Sequence, residues 1–99
     1  MSELVTQKSL LKRVSETKSD SDIAKIRLAL EFAAQAHQGQ KRDSGDDFIQ
    51  HPLEVAAIVY EMGMDTTSII AALLHDVVED TIVEVDQIKK EFGPELALL

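Results

Sequence analysis

The chain has 99 residues and a mass of 11.0 kDa, enough for one domain with a modest core. Hydrophobic residues make up 44% and charged residues 28%, a balance that excludes wholesale disorder. Ten Lys and Arg against 18 Asp and Glu give a net charge of −8, which argues against nucleic acid as the main partner, because phosphate backbones bind cationic surfaces.

Leu4, Leu11 and Val14 stand at near-helical spacing and predict a weakly amphipathic helix over residues 3–16. Lys18 to Asp22 is a polar break, with Ser21 or Asp22 as the expected N-cap of the next helix. Ile23, Ile26, Leu30, Ala33 and Ala34 follow the i, i+3, i+4 rule and carry that helix to about His37, with Gly39 as the stop. The polar run from Lys41 to Gln50 reads as a loop. Pro52 is expected to open a third helix that carries Leu53, Ala56, Ala57 and Tyr60 on its inner face and ends at Gly63. Asp65 or Thr66 caps a fourth, Thr67 to Asp80, whose centre IIAALL is apolar on every side and predicts a central, buried helix. Ile88 and Phe92 mark a short helix, and Pro94 can begin another over Glu95 to Leu99. The segment TIVEV at 81–85 is the only strand candidate and is too short to displace an all-α reading. Residues 1–20 are read as an N-terminal helix and linker, and 21–99 as the domain proper.

With no cysteine, disulfides and thiolate metal sites are excluded. The N-terminus lacks the apolar stretch of a secretory signal, and the longest apolar run, Ile69 to Leu74, is far shorter than a membrane span, so a soluble, cytoplasmic protein without membrane contact is expected.

Charge is unevenly placed. Between Asp43 and Ile88 there are eleven acids and no Lys or Arg, which is either a solvated acidic face or a cation site. Within it, His75-Asp76 is followed by Glu79-Asp80, and the four-residue spacing puts 75 with 79 and 76 with 80 on shared helix faces. Burying four ionisable groups at the end of an apolar helix is costly without compensation, and a divalent cation compensates carboxylates while accepting neutral imidazole. The alternative is a helix that simply emerges into solvent after Leu74. His51, just before Pro52, can approach the His75-Asp76 pair across an antiparallel helix hairpin, or can be an ordinary surface histidine. His37, at a helix end, is expected to pack or cap. The loop Gln40-Lys41-Arg42-Asp43-Ser44-Gly45 supplies two cations and a hydroxyl that could hold a phosphate or a base, unless it is a solvated turn.

Taken together, AHQGQKRDSGDDFIQHPLEVA, then AALLHDVVEDT, then FGPELALL resemble the RelA/SpoT homologue family, over roughly residues 22–99. Specifically, the chain is similar to the N-terminal HD hydrolase domain that degrades guanosine 3′,5′-bis(diphosphate), ppGpp, and its pentaphosphate form. The resemblance implies an all-α HD-domain helical bundle and Mn²⁺-dependent removal of the 3′-diphosphate, another divalent transition metal being an alternative. It implies His51, His75 and Asp76 as metal ligands and Glu79 and Asp80 as the pair that orients or activates water. Arg42 would pack on the guanine, and Ser44 would lie in the same nucleotide-contacting loop. Asp43 stands where the family often has Lys, so repulsion from substrate phosphates is expected. An HD site also takes a final Asp from a downstream helix; no Asp follows Asp86, so a bundle incomplete at the C-terminus is expected. That leaves two alternatives to hydrolysis of ppGpp: a non-catalytic fragment that binds nucleotide or self-associates through Leu96, Leu98 and Leu99, and an HD phosphohydrolase acting on another nucleotide.

Overall fold

A computed structural model describes residues 5–41, 45, 47–80 and 85–92, with the backbone alone at 78–80 and 85. Among these, five helices follow one another: α1 (Gln7–Val14), α2 (Asp20–Ala36), α3 (Gln50–Glu61), α4 (Thr66–Asp80) and α5 (Val85–Phe92). The described residues contain no strand, only an isolated bridge between Lys41 and Asp47, so the all-α expectation holds. No described helix is long and apolar enough to cross a membrane. The strand candidate at 81–84 and the last helix after Pro94 lie outside the described residues.

The helix starts differ from expectation where cap chemistry overrides the apolar phase. α1 begins later than residue 3, because Thr6 and Ser9 form a reciprocal capping box: Ser9 N–H donates to Thr6 Oγ1 at 3.0 Å and Thr6 N–H donates to Ser9 Oγ at 2.8 Å. Its buried residues are Leu10 and Val14, with Leu11 only partly covered. α2 is capped by Ser19, neither Ser21 nor Asp22; Ser19 Oγ accepts the Asp22 N–H at 3.1 Å. α3 begins at Gln50 rather than Pro52, which becomes its third residue. A proline still fits there, because the first-turn N–H groups have no intrahelical acceptor.

α4 is the central element, packed chiefly against α3 and α2. Ile69, Ile70, Leu73, Leu74 and Val77 are all buried, and they meet Ile26, Ala29, Leu30 and Ala33 of α2 and Leu53, Ala56 and Ala57 of α3. The small residues on α2 and α3 let the backbones approach the bulkier α4 side chains. α1 joins this core through Leu10 and Val14 and is tied to α3 by polar contacts. Tyr60 Oη donates to the Arg13 carbonyl at 3.0 Å, and Arg13 pairs with Glu61 at 2.6 Å. α5 adds the buried Ile88 and an edge-on contact of Phe92 with Phe32, centroids 5.4 Å apart.

The turn between α3 and α4 bends at Gly63, whose φ of 78° suits a residue without Cβ. Asp65 then caps α4, accepting the Ser68 N–H at 2.9 Å. The Ser68 hydroxyl, then its N–H, hold the Asp65 carboxyl below its ordinary value of 3.8. Because the folded value is the lower one, the cap's contribution is present above the unfolded pKa and is lost as pH falls through the folded value. Asp65→Asn keeps a capping oxygen that does not titrate. Thermal melts of the two proteins from about pH 5 down to about pH 2.5 should show a shallower acid loss of Tm in D65N; parallel curves would contradict the assignment.

Candidate functional site

The helix hairpin brings His51 to Asp76. His51 lies twelve residues before Gly63 and Asp76 twelve residues after Met64, so at an equal rise per residue an antiparallel pair sets them side by side. The first turn of α3 places His51, and its N–H donates to the Phe48 carbonyl at 3.1 Å. His51 Nε2 is 3.7 Å from Asp76 Oδ2, while His75 Nδ1 is 3.1 Å from Asp76 Oδ1. One carboxylate therefore stands between two imidazoles.

The three differ in exposure. The Asp76 side chain is 16% exposed, His51 43% and His75 70%, so the carboxylate forms the floor and the histidines the rim. Among the described residues no Lys or Arg pairs with Asp76. A largely covered carboxylate without a protein cation, beside two imidazoles, is a donor set suited to a divalent transition metal. The arrangement is incomplete in one respect. Among the described residues, no group of three or more His, Asp and Glu side chains is disposed to hold a metal ion, and His75 turns its Nδ1 onto its neighbour's carboxylate.

The other candidates are placed unequally. Glu79 and Asp80 lie on the last turn of α4, one helical turn beyond His75 and Asp76, and their side chains are outside the description. Arg42, Asp43 and Ser44 also lie outside the described residues. His37 packs as expected: it is the C-cap of α2, 2% exposed, and stacked on Phe48 with centroids 4.6 Å apart. Its partners, Phe48 and Gln40, were not singled out from sequence; the signal was a histidine at a helix end with an aromatic residue across the loop.

Residues 29–99 match the HD domain as a family. The chain belongs to the HD-domain family. It is also 44% identical over 96 residues to the "GTP pyrophosphokinase rsh" of Brucella melitensis, covering 97% of this chain and 13% of that protein. It is 43% identical over 86 residues to the "GTP pyrophosphokinase" of Myxococcus xanthus (87% and 11%), and 47% identical over 79 residues to the "Probable GTP pyrophosphokinase" of Mycobacterium leprae (80% and 10%). These relatives are RelA/SpoT-family proteins, as the motifs implied, and this HD domain spans about a tenth of their length. Their names denote guanine-nucleotide phosphoryl chemistry without distinguishing a hydrolytic from a synthetic role for this portion.

Proposed function

We propose that this HD domain hydrolyses ppGpp and its pentaphosphate form at the 3′-diphosphate, using Mn²⁺ or another divalent transition metal, and so degrades a stringent-response alarmone. The observation that carries the reading is the Asp76 carboxylate set between His51 and His75 at one end of the α3–α4 hairpin. The family supports it, since HD domains are metal-dependent and the RelA/SpoT relatives are named for guanosine nucleotides.

In this reading His51, His75 and Asp76 hold the metal, with His75 turning from its own neighbour to do so. When bound, the ion supplies Lewis acidity and lowers the pKa of water. Glu79 and Asp80, one turn further along α4, are the carboxylates that orient the attacking water and accept its proton. Arg42 lies against the guanine ring and Ser44 contacts the same nucleotide. Water adds to the phosphorus bonded to the 3′ oxygen, the bond from that phosphorus to the 3′ oxygen breaks, and the 3′ oxygen takes a proton. The products are pyrophosphate and a nucleoside 5′-polyphosphate with a free 3′ hydroxyl.

One observation favours a second reading, nucleotide binding without turnover: the described side chains do not converge on a third ligand position. Incubating the chain with ppGpp, GTP and GDP, each with Mn²⁺ or with EDTA, separates these. Hydrolysis predicts loss of ppGpp alone, and only with Mn²⁺. Binding of ppGpp without loss in any arm supports the second reading, and faster loss of GTP makes this an HD phosphohydrolase for another nucleotide.

A further inference from the structure

His37 is a buried polar residue outside the Asp76 centre, and its surroundings give its ring two tasks. The face stacks on Phe48 with planes 26° apart, and Nδ1 lies 2.9 Å from Gln40 Oε1. An Nδ1–H facing the carboxamide oxygen donates to it. The other ring nitrogen, Nε2, is buried with no hydrogen-bond partner among the described residues. A phenylalanine would fill the same space and stack on Phe48 without burying a bare nitrogen, so packing alone does not account for an imidazole here.

The two ties grip opposite ends of one segment. Gln40 immediately precedes residues 41–47 and Phe48 immediately follows them. The backbone closes the same gap: Phe48 N–H donates to the Gln40 carbonyl at 2.9 Å, and Gln40 N–H donates to the His37 carbonyl at 2.9 Å. The Lys41–Asp47 bridge and ion pair continue the closure. On its other side, the Phe48 carbonyl receives the N–H of His51, so the clamp is one bond from the first turn of α3.

We propose that His37 is a positioning residue for nucleotide binding, fixing the ends of the 41–47 segment, which carries Arg42 and Ser44, relative to His51. The inference rests on the nucleotide role proposed above for Arg42 and Ser44. It separates two functions of one side chain: the stack sets where Phe48 lies, and the Nδ1 bond to Gln40 sets where the segment begins.

The test is His37→Phe in the 99-residue chain, read by amide hydrogen exchange at Phe48, by Kd for fluorophore-labelled ppGpp, by Mn²⁺ affinity and by Tm. Exchange at Phe48 should accelerate and ppGpp binding should weaken, each by about tenfold, the scale of one lost hydrogen bond. Mn²⁺ affinity should stay within about twofold, and Tm should not fall, since the aromatic volume is kept and the bare nitrogen removed. His37→Asn, which keeps a donor near the Nδ1 position, should recover part of the ppGpp affinity. Wild-type exchange and affinity in H37F would overturn the role of His37 while leaving the nucleotide reading intact. Faster exchange with unchanged ppGpp affinity would also overturn it, showing a clamp without functional reach. A wild-type chain that binds no ppGpp overturns the nucleotide reading first and this role with it.

Discussion

Asp76→Asn is expected to abolish Mn²⁺ binding and metal-dependent turnover while leaving the helices in place. The carboxylate is the only anionic group that the described structure sets against both histidines, and it lies at the end of the α3–α4 hairpin away from the Gly63 turn. Asparagine keeps the shape but removes the charge, and its amide nitrogen can only donate where a ligand oxygen is required. Loss of an outer-shell partner in a metal site costs roughly 10–100-fold, so loss of the anionic ligand itself should exceed about a hundredfold in both affinity and rate. Stability should change little, because Asp76 makes no contact with Lys or Arg among the described residues. Calorimetric titration with Mn²⁺ beside a thermal melt checks both halves. Equal Mn²⁺ affinity in D76N and wild type would remove Asp76 from the metal site.

Leu73→Ala should have the largest effect on the fold. Leu73 is fully buried on the central helix that packs against both α2 and α3. Truncating a leucine in such a core costs about 2–5 kcal/mol, from lost transfer energy plus the cavity left behind. In a domain of this size each kcal/mol moves Tm by about 4–8 °C, so a fall of at least about 8 °C is expected. Leu28→Ala is the control: Leu28 is 46% exposed on α2, and its loss should stay within about 0.5 kcal/mol. Similar melting of L73A and wild type would mean that α4 is not the centre of the core.

α4 was legible because its run from Ile69 to Leu74 is apolar around the whole helix, which only burial on more than one side explains. The meeting of His51 with Asp76 was legible for a related reason. Two helices joined by a glycine turn must run antiparallel, and the two residues lie at equal distances from that turn. Helix starts were harder to read. Ser19, Asp20, Ser21 and Asp22 are all competent caps, and a stripe beginning at Ile23 does not choose among them. Ile49, the N-cap of α3, makes no side-chain cap bond, so the start at Gln50 left no mark in the sequence, and Pro52 tolerates any place in the first turn. In the pair Leu10-Leu11 the helix phase buries one residue fully, and only the capping box at Thr6 and Ser9 sets that phase.

The site was legible in residue type but not in arrangement. Spacing put His75 and Asp76 on the correct helix, yet the turning of His75 onto its neighbour depends on a single exposed rotamer that no spacing encodes. The setting of His37 is a tertiary fact, since Phe48 is eleven residues away and reaches it only once the intervening segment closes.

The central claim, that this HD domain removes the 3′-diphosphate of ppGpp with a divalent metal, is tested most directly by the identity of the products. Phosphorus NMR of ppGpp incubated with the chain and Mn²⁺, quenched with EDTA before recording, should show free pyrophosphate and GDP appearing together in equal amounts. Orthophosphate in place of pyrophosphate, or an unchanged ppGpp spectrum with Mn²⁺ in excess, would contradict it.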